Sequence, residues 1–168
     1  MIQIFEWLES TGLATFVRES PSLFGYTAFL SLHAMGLAIV VGVNTAIALR
    51  LLGFAPSIPV APLLKLFPVM YIGFTINAIS GFGLFAASAT SLINNMMFLW
   101  ELGFIVLGLI GIELLRAKVF SDGATAVGTT LPPGAKFYAY LSIFCWAGAL
   151  VSGRLTAYPN FVSTLLGI

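Results

Sequence analysis

The sequence predicts an all-α fold: a four-transmembrane-helix bundle with an N-terminal interfacial amphipathic helix, one membrane domain over residues 1–168. Three observations carry that expectation. Of 168 residues, 60% are hydrophobic and 8% charged, where a soluble domain carries about a quarter charged, and the mean hydropathy is +1.05. The charges are spaced widely enough to leave uncharged runs of 30 residues between Glu19 and Arg50, 35 between Lys65 and Glu101, and 17 between Lys136 and Arg154. The intervals between these runs hold proline, glycine and asparagine, the residues of turns. The lipid bilayer is therefore the first expected partner.

Each element follows from local chemistry. In residues 2–19, Ile4, Phe5, Trp7 and Leu8 project to one side of a helix and Gln3, Glu6, Glu9 and Ser10 fall elsewhere, the pattern of a helix lying in the membrane interface. Its first charges are Glu6 and Glu9, not a positive segment, so it does not read as a signal peptide. A crossing of the ~30 Å hydrocarbon layer needs roughly 20 apolar residues, which places the spans near 23–51, 64–90, 96–117 and 136–157. The third runs through Glu101 because Phe98, Leu99, Phe104, Ile105, Val106, Leu107, Leu109 and Ile110 outweigh one intramembrane carboxylate. Pro56, Pro59 and Pro62 interrupt the first connection, Asn94 and Asn95 mark the second, and Gly123, Gly128, Pro132, Pro133 and Gly134 fill the third.

Charge excludes some functions and orients the rest. Seven Lys/Arg against six Asp/Glu leave +1, with no basic face for nucleic acid. The lone Cys145 can form neither an internal disulfide nor a thiolate metal site. Arg50, Lys65, Arg116, Lys118 and Lys136 flank the first and third connections, and only Arg18 and Arg154 belong to the other side. The positive-inside rule then puts both termini outside the cytoplasm.

Counting along each span from the basic residues at ~1.5 Å per residue gives depth. His33 is 17 residues from Arg50, Glu101 is 15 from Arg116, Arg154 is 18 from Lys136, and Ser80 and Gly81 are 15 and 16 from Lys65. All fall about 22–27 Å from the basic markers, a common polar layer. Ionisable groups at such depth face the bundle interior and find partners. One reading makes them helix glue, with a Glu101–Arg154 ion pair and His33 bonded to a serine or carbonyl near Ser80. The other makes them a cofactor site. One histidine and no thiolate support no protein-only zinc or copper centre, but haem b needs a single axial histidine. In that reading His33 binds the iron, Phe29, Gly36 and Gly81 admit the flat macrocycle, Arg154 meets a propionate, Glu101 lines the layer, and Met97 is a candidate sixth ligand.

The same places carry a resemblance. Trp7-Leu8-Glu9-Ser10-Thr11 with Val17-Arg18-Glu19-Ser20, Leu32-His33-Ala34-Met35-Gly36 with Gly42, Leu49-Arg50-Leu51-Leu52-Gly53, and Trp146-Ala147-Gly148 with Gly153-Arg154-Leu155-Thr156-Ala157-Tyr158 resemble a bacterial family of small four-span membrane proteins, a domain of unknown function. The resemblance covers nearly the whole chain and is most specific at His33-x-x-Gly36 and at the Gly-Arg-x-x-Ala-Tyr ending of the last span. It implies the four-helix membrane fold and the bacterial inner membrane, and no reaction. The chain departs from the family pattern at Ala48, where an acidic residue is usual, and at Arg116-Ala117-Lys118, where a histidine is usual. Those departures speak against a second haem or a metal site on the inner side.

Three functions follow as expectations. The first is a b-type haem protein of membrane electron transfer, a homo-oligomer with a redox protein partner. The second is a cofactor-free scaffold or accessory subunit, favoured by small residues at Gly36, Gly42, Gly108, Gly111 and Gly148 that let helices approach. The third is a small ion or proton transporter using His33, Glu101 and Arg154. No nucleophile beside an oriented base and no phosphate-cradling loop points to hydrolase or phosphoryl chemistry.

Overall fold

A computed structural model of the chain describes residues 2–120, 131, 134–158 and 164. The described residues contain no strand. They form α1 (Ile2–Glu9), α2 (Gly12–Glu19), α3 (Tyr26–Leu52), a 3-10 turn (Ala61–Leu66) leading into α4 (Phe67–Ala87), α5 (Ala89–Ile93), α6 (Met96–Val119) and α7 (Ala135–Thr156). Four of these, α3, α4 with its 3-10 turn, α6 and α7, are long and apolar enough to cross a membrane. The chain is thus an all-α four-helix bundle with membrane-spanning helices, as the charge spacing predicts.

The helices pair along the chain. α3 packs on α4, α6 on α7, and α3 also on α7, which joins the two hairpins. α4 and α6 meet through side chains: Phe67 and Phe120 edge to face at 5.5 Å, and Phe85 and Phe98 stacked at 5.5 Å. The buried core, Val40, Ile47, Leu51, Phe67, Met70, Ile112, Leu115, Ala139, Trp146 and Ala149, lies between the four helices. Lipid is as apolar as leucine, so such helices associate by close packing and interhelical hydrogen bonds and not by removal of apolar surface from water.

Helix ends follow their local sequence. Gly53 ends α3 in the left-handed region at φ +105°, with its own N–H and that of Phe54 returning to Arg50 O and Leu49 O. Arg50 closes the proline-rich connection, donating from Nε to Ile58 O at 2.5 Å and from Nη2 to Pro56 O at 3.1 Å. Arg50, Lys65, Arg116 and Lys118 stand in last turns and Lys136 in a first turn. Together they define a basic end of the bundle, opposite the end that carries α1, α2 and α5. Of the third connection, Gly123, Gly128, Pro132 and Pro133 lie outside the described residues.

Two expected boundaries are corrected. The interfacial segment 2–19 is two helices, because Thr11 turns to extended backbone (φ −67°, ψ 151°) and its side chain accepts the Ala14 N–H, capping α2. The Ser10-Thr11-Gly12 run carries the signal for that break. The expected span 64–90 likewise breaks at Ser88 (φ −149°, ψ 37°), leaving α4 and the single turn of α5.

That break is where the N-terminal helices attach. Ala14 and Val17 are fully buried against it, with Ala86, Ala87 and Ala89. Phe5 meets Phe85 edge to face, and Ile4 and Trp7 point outward, each 66% exposed. Arg18 donates to Ala87 O at 3.2 Å, covering a carbonyl at the end of α4. Glu9 accepts from Thr90 N at 2.8 Å and Thr90 Oγ1 at 2.7 Å, satisfying the start of α5. These bonds from the Thr90 side chain, and then its backbone, hold the Glu9 carboxyl below its ordinary range.

Candidate functional site

His33 sits on the face of α3 that also carries Gly36, Val40, Asn44 and Ile47, all turned toward the bundle. Its partner is Asn77, inside the uncharged run between Lys65 and Glu101. His33 Nδ1 lies 2.9 Å from Asn77 O. A carbonyl oxygen only accepts, so Nδ1 carries the hydrogen and Nε2 keeps its lone pair. The Asn77 amide donates to His33 O at 2.9 Å and lies 3.2 Å from Nδ1. The imidazole is therefore fixed in orientation and tautomer by α4.

The ring also fills the space that Gly81 leaves open. A Cβ on Gly81 would lie 2.8 Å from the His33 Cε1, and one on Gly83 would lie 2.3 Å from the Phe29 ring. Gly36 is held by backbone, since its Cβ would meet Asn77 N at 2.6 Å and Gly73 O at 2.7 Å. Phe29, Gly36 and Gly81 are thus used in packing α3 on α4.

The other members of the expected layer sit on the second hairpin. Glu101 shares the inward face of α6 with Gly108, Ile112 and Leu115. Its carboxyl packs on α7, where a Cβ at Gly153 would lie 2.5 Å from Oε1. Arg154 is exposed, donates to Tyr158 Oη at 2.9 Å and stacks over that ring at 5.1 Å. Among the described residues no Glu101–Arg154 ion pair forms. Height alone places residues in one layer; the helical angle then turns Arg154, five residues on from buried Ala149, away from the bundle. Met97 lines an apolar groove of about 500 Å³ between α6 and α7, with Trp100, Phe104, Phe144, Gly148 and Val151. His33 is not among the residues that line this groove.

Sequence reasoning missed several polar contacts. Ser142 donates to Asn44 Oδ1 at 2.5 Å, tying α7 to α3 in the buried core, where Asn44 Nδ2 and Trp146 Nε1 have no acceptor among the described residues. Near the basic end, Tyr71 donates to Glu113, and Arg116 stands beside both. The signal was available: Asn44, Asn77 and Tyr71 are polar residues inside apolar runs, where unpaired groups are costly. Among the described residues no three His, Cys, Asp or Glu side chains gather as a metal site.

No protein-family model matches this chain, and neither a curated protein nor a solved structure matches it.

Proposed function

We propose that the chain is a membrane-embedded b-type haem protein of electron transfer, in which His33 would hold the iron through Nε2. The observation that supports it is the hydrogen bond from Nδ1 to the Asn77 carbonyl. Ligating histidines characteristically donate their second ring N–H to such an acceptor, which fixes the tautomer and raises the basicity of the free nitrogen. Haem, when bound, supplies a reversible one-electron iron couple tuned by its axial ligands. The residues fit an axial ligand but not a closed pocket: Phe29, Gly36 and Gly81 pack within the hairpin, and Arg154 faces away. A haem held by His33 would need the rest of its wall from outside this hairpin.

The rival reading is a cofactor-free membrane scaffold. It is favoured by the glycines, which are met by neighbouring backbone and rings and leave no gap at Gly36, Gly81 or Gly83. A visible spectrum of the detergent-purified protein from haem-replete cells separates them. The haem reading expects a Soret band that disappears in His33→Ala, with helical content retained. A colourless wild-type preparation under the same conditions overturns it in favour of the scaffold.

A further inference from the structure

Between α4 and α6 at the basic end lies a cleft of about 470 Å³ that the proposed function does not use. Leu64, Phe67, Pro68 and Phe120 give it apolar walls, and Tyr71, Glu113 and Arg116 give it a polar rim. Glu113 and Arg116 fall six and three residues before Val119, the last residue of α6. At ~1.5 Å per residue they are about 5–9 Å from the helix end. α6 has 24 residues, longer than the roughly 20 that cross the hydrocarbon layer, so both groups stand where hydrocarbon gives way to headgroups.

The two charges are under-used. Glu113 accepts from Tyr71 Oη, and its second oxygen lies 3.7 Å from Arg116 Nη1, beyond hydrogen-bond reach. Arg116 Nη1 donates weakly to Tyr71 Oη at 3.4 Å, and its other nitrogens have no partner among the described residues. Both side chains are more than half exposed, at 58% and 51%. An acid and a base side by side above an apolar cleft present a fixed pair of opposite charges. A purely anionic headgroup meets Arg116 but is repelled by Glu113; a headgroup bearing both an ammonium and a phosphate, two carbons apart, satisfies both.

We infer that the α4–α6 cleft binds a phospholipid of the ethanolamine type, its phosphate on Arg116, its ammonium on Glu113 and an acyl chain along Phe67 and Phe120. Methylation of the amine removes the donors that Glu113 accepts from, so choline lipids bind less well. Tyr71 positions Glu113 by donating to one of its oxygens, leaving the other for the ammonium.

The test is native mass spectrometry of the full chain in detergent, titrated separately with phosphatidylethanolamine, phosphatidylcholine and phosphatidylglycerol of matched chains. An exposed charge pair contributes up to ~1 kcal/mol, so we expect retention of the ethanolamine lipid about fivefold above the choline lipid, and above the glycerol lipid. Glu113→Gln brings the ethanolamine lipid down to the choline level without weakening the glycerol lipid. Arg116→Gln weakens all three, and Lys118→Gln leaves the ranking unchanged. Equal retention of ethanolamine and choline lipids by the wild type overturns the proposal. Preference for the glycerol lipid does so too, since it marks a general basic surface. A wild-type ranking in the expected order that Glu113→Gln leaves intact likewise overturns it. Should either variant lose its helical circular dichroism, the wild-type ranking decides alone.

Discussion

The two helical hairpins differ at one glycine: Gly36 of α3–α4 is met by backbone, whereas Gly73, Gly81 and Gly83, like Gly108, Gly148 and Gly153 of α6–α7, are met by side chains. In α3–α4, Gly36 is met by the backbone of Asn77 and Gly73, and a polar joint, His33 with Asn77, pins the helices together. In α6–α7, the glycines are met by side chains: Gly108 by the Trp146 indole, Gly148 by the Phe104 ring and Gly153 by the Glu101 carboxyl. Backbone cannot retreat without moving a whole helix, whereas the half-buried Phe104 ring can rotate. At Gly36 the first hairpin is therefore held rigidly, where at Gly148 the second can adapt.

The comparison breaks most readily at Gly36. Gly36→Ala puts a methyl 2.6 Å from a backbone nitrogen, and we expect a loss of at least the ~1–3 kcal/mol typical of overpacking, read as a lower midpoint of denaturant unfolding in detergent. Gly148→Ala meets only the Phe104 ring at 2.7 Å, and its loss should be smaller, within about 1 kcal/mol after the gain in helix propensity is set against the clash. If Gly148→Ala proves the costlier, the rigid and adaptable assignments are reversed. Asn77→Leu removes the amide bond to His33 O from the first hairpin, and at ~0.6–1.7 kcal/mol for an interhelical polar contact in a membrane it should fall between the other two in the same assay.

A milder change acts at the N-terminal helices. The Glu9 carboxyl is held below its ordinary value of 4.5 by Thr90, so its contribution is fully present above that pH and lost as the pH falls through the lowered value. Amide exchange of α1 and α2 should rise in that acidic window while α3 and α7 stay protected, and Thr90→Val, which keeps the backbone bond, should weaken the pH dependence. Smallest of all is Gly42→Ala, which meets nothing within 4 Å. It should leave stability unchanged or raise it by up to ~1 kcal/mol through helix propensity.

The four spans were legible because bilayer thickness leaves its mark on a one-dimensional list, as runs without charge. The polar layer was legible only in height. Depth counting from Arg50, Lys65, Arg116 and Lys136 brings His33, Glu101 and Arg154 to one level, but which way each points depends on the helical angle relative to neighbours that the sequence does not name. Arg154 illustrates this: four residues beyond it stands Tyr158, a local partner that takes the guanidinium outward. Asn77 illustrates the reverse. It sits in an apolar run with no charge nearby, and its role emerges only when α3 brings His33 against it. The break at Ser88 had no proline or glycine to announce it, and its stability depends on Glu9 and Arg18, more than 60 residues away.

That break has a further consequence. Where α4 stops and α5 starts, one helix offers bare carbonyls and the next offers bare amides, so the junction behaves as a socket with two unlike contacts. The amphipathic arm carries the matching pins, a cation at one position and an anion nine residues earlier. Turned end for end, it would set each pin against its own sign. The arm is keyed, and the direction in which the chain arrives at its first crossing is decided by that key.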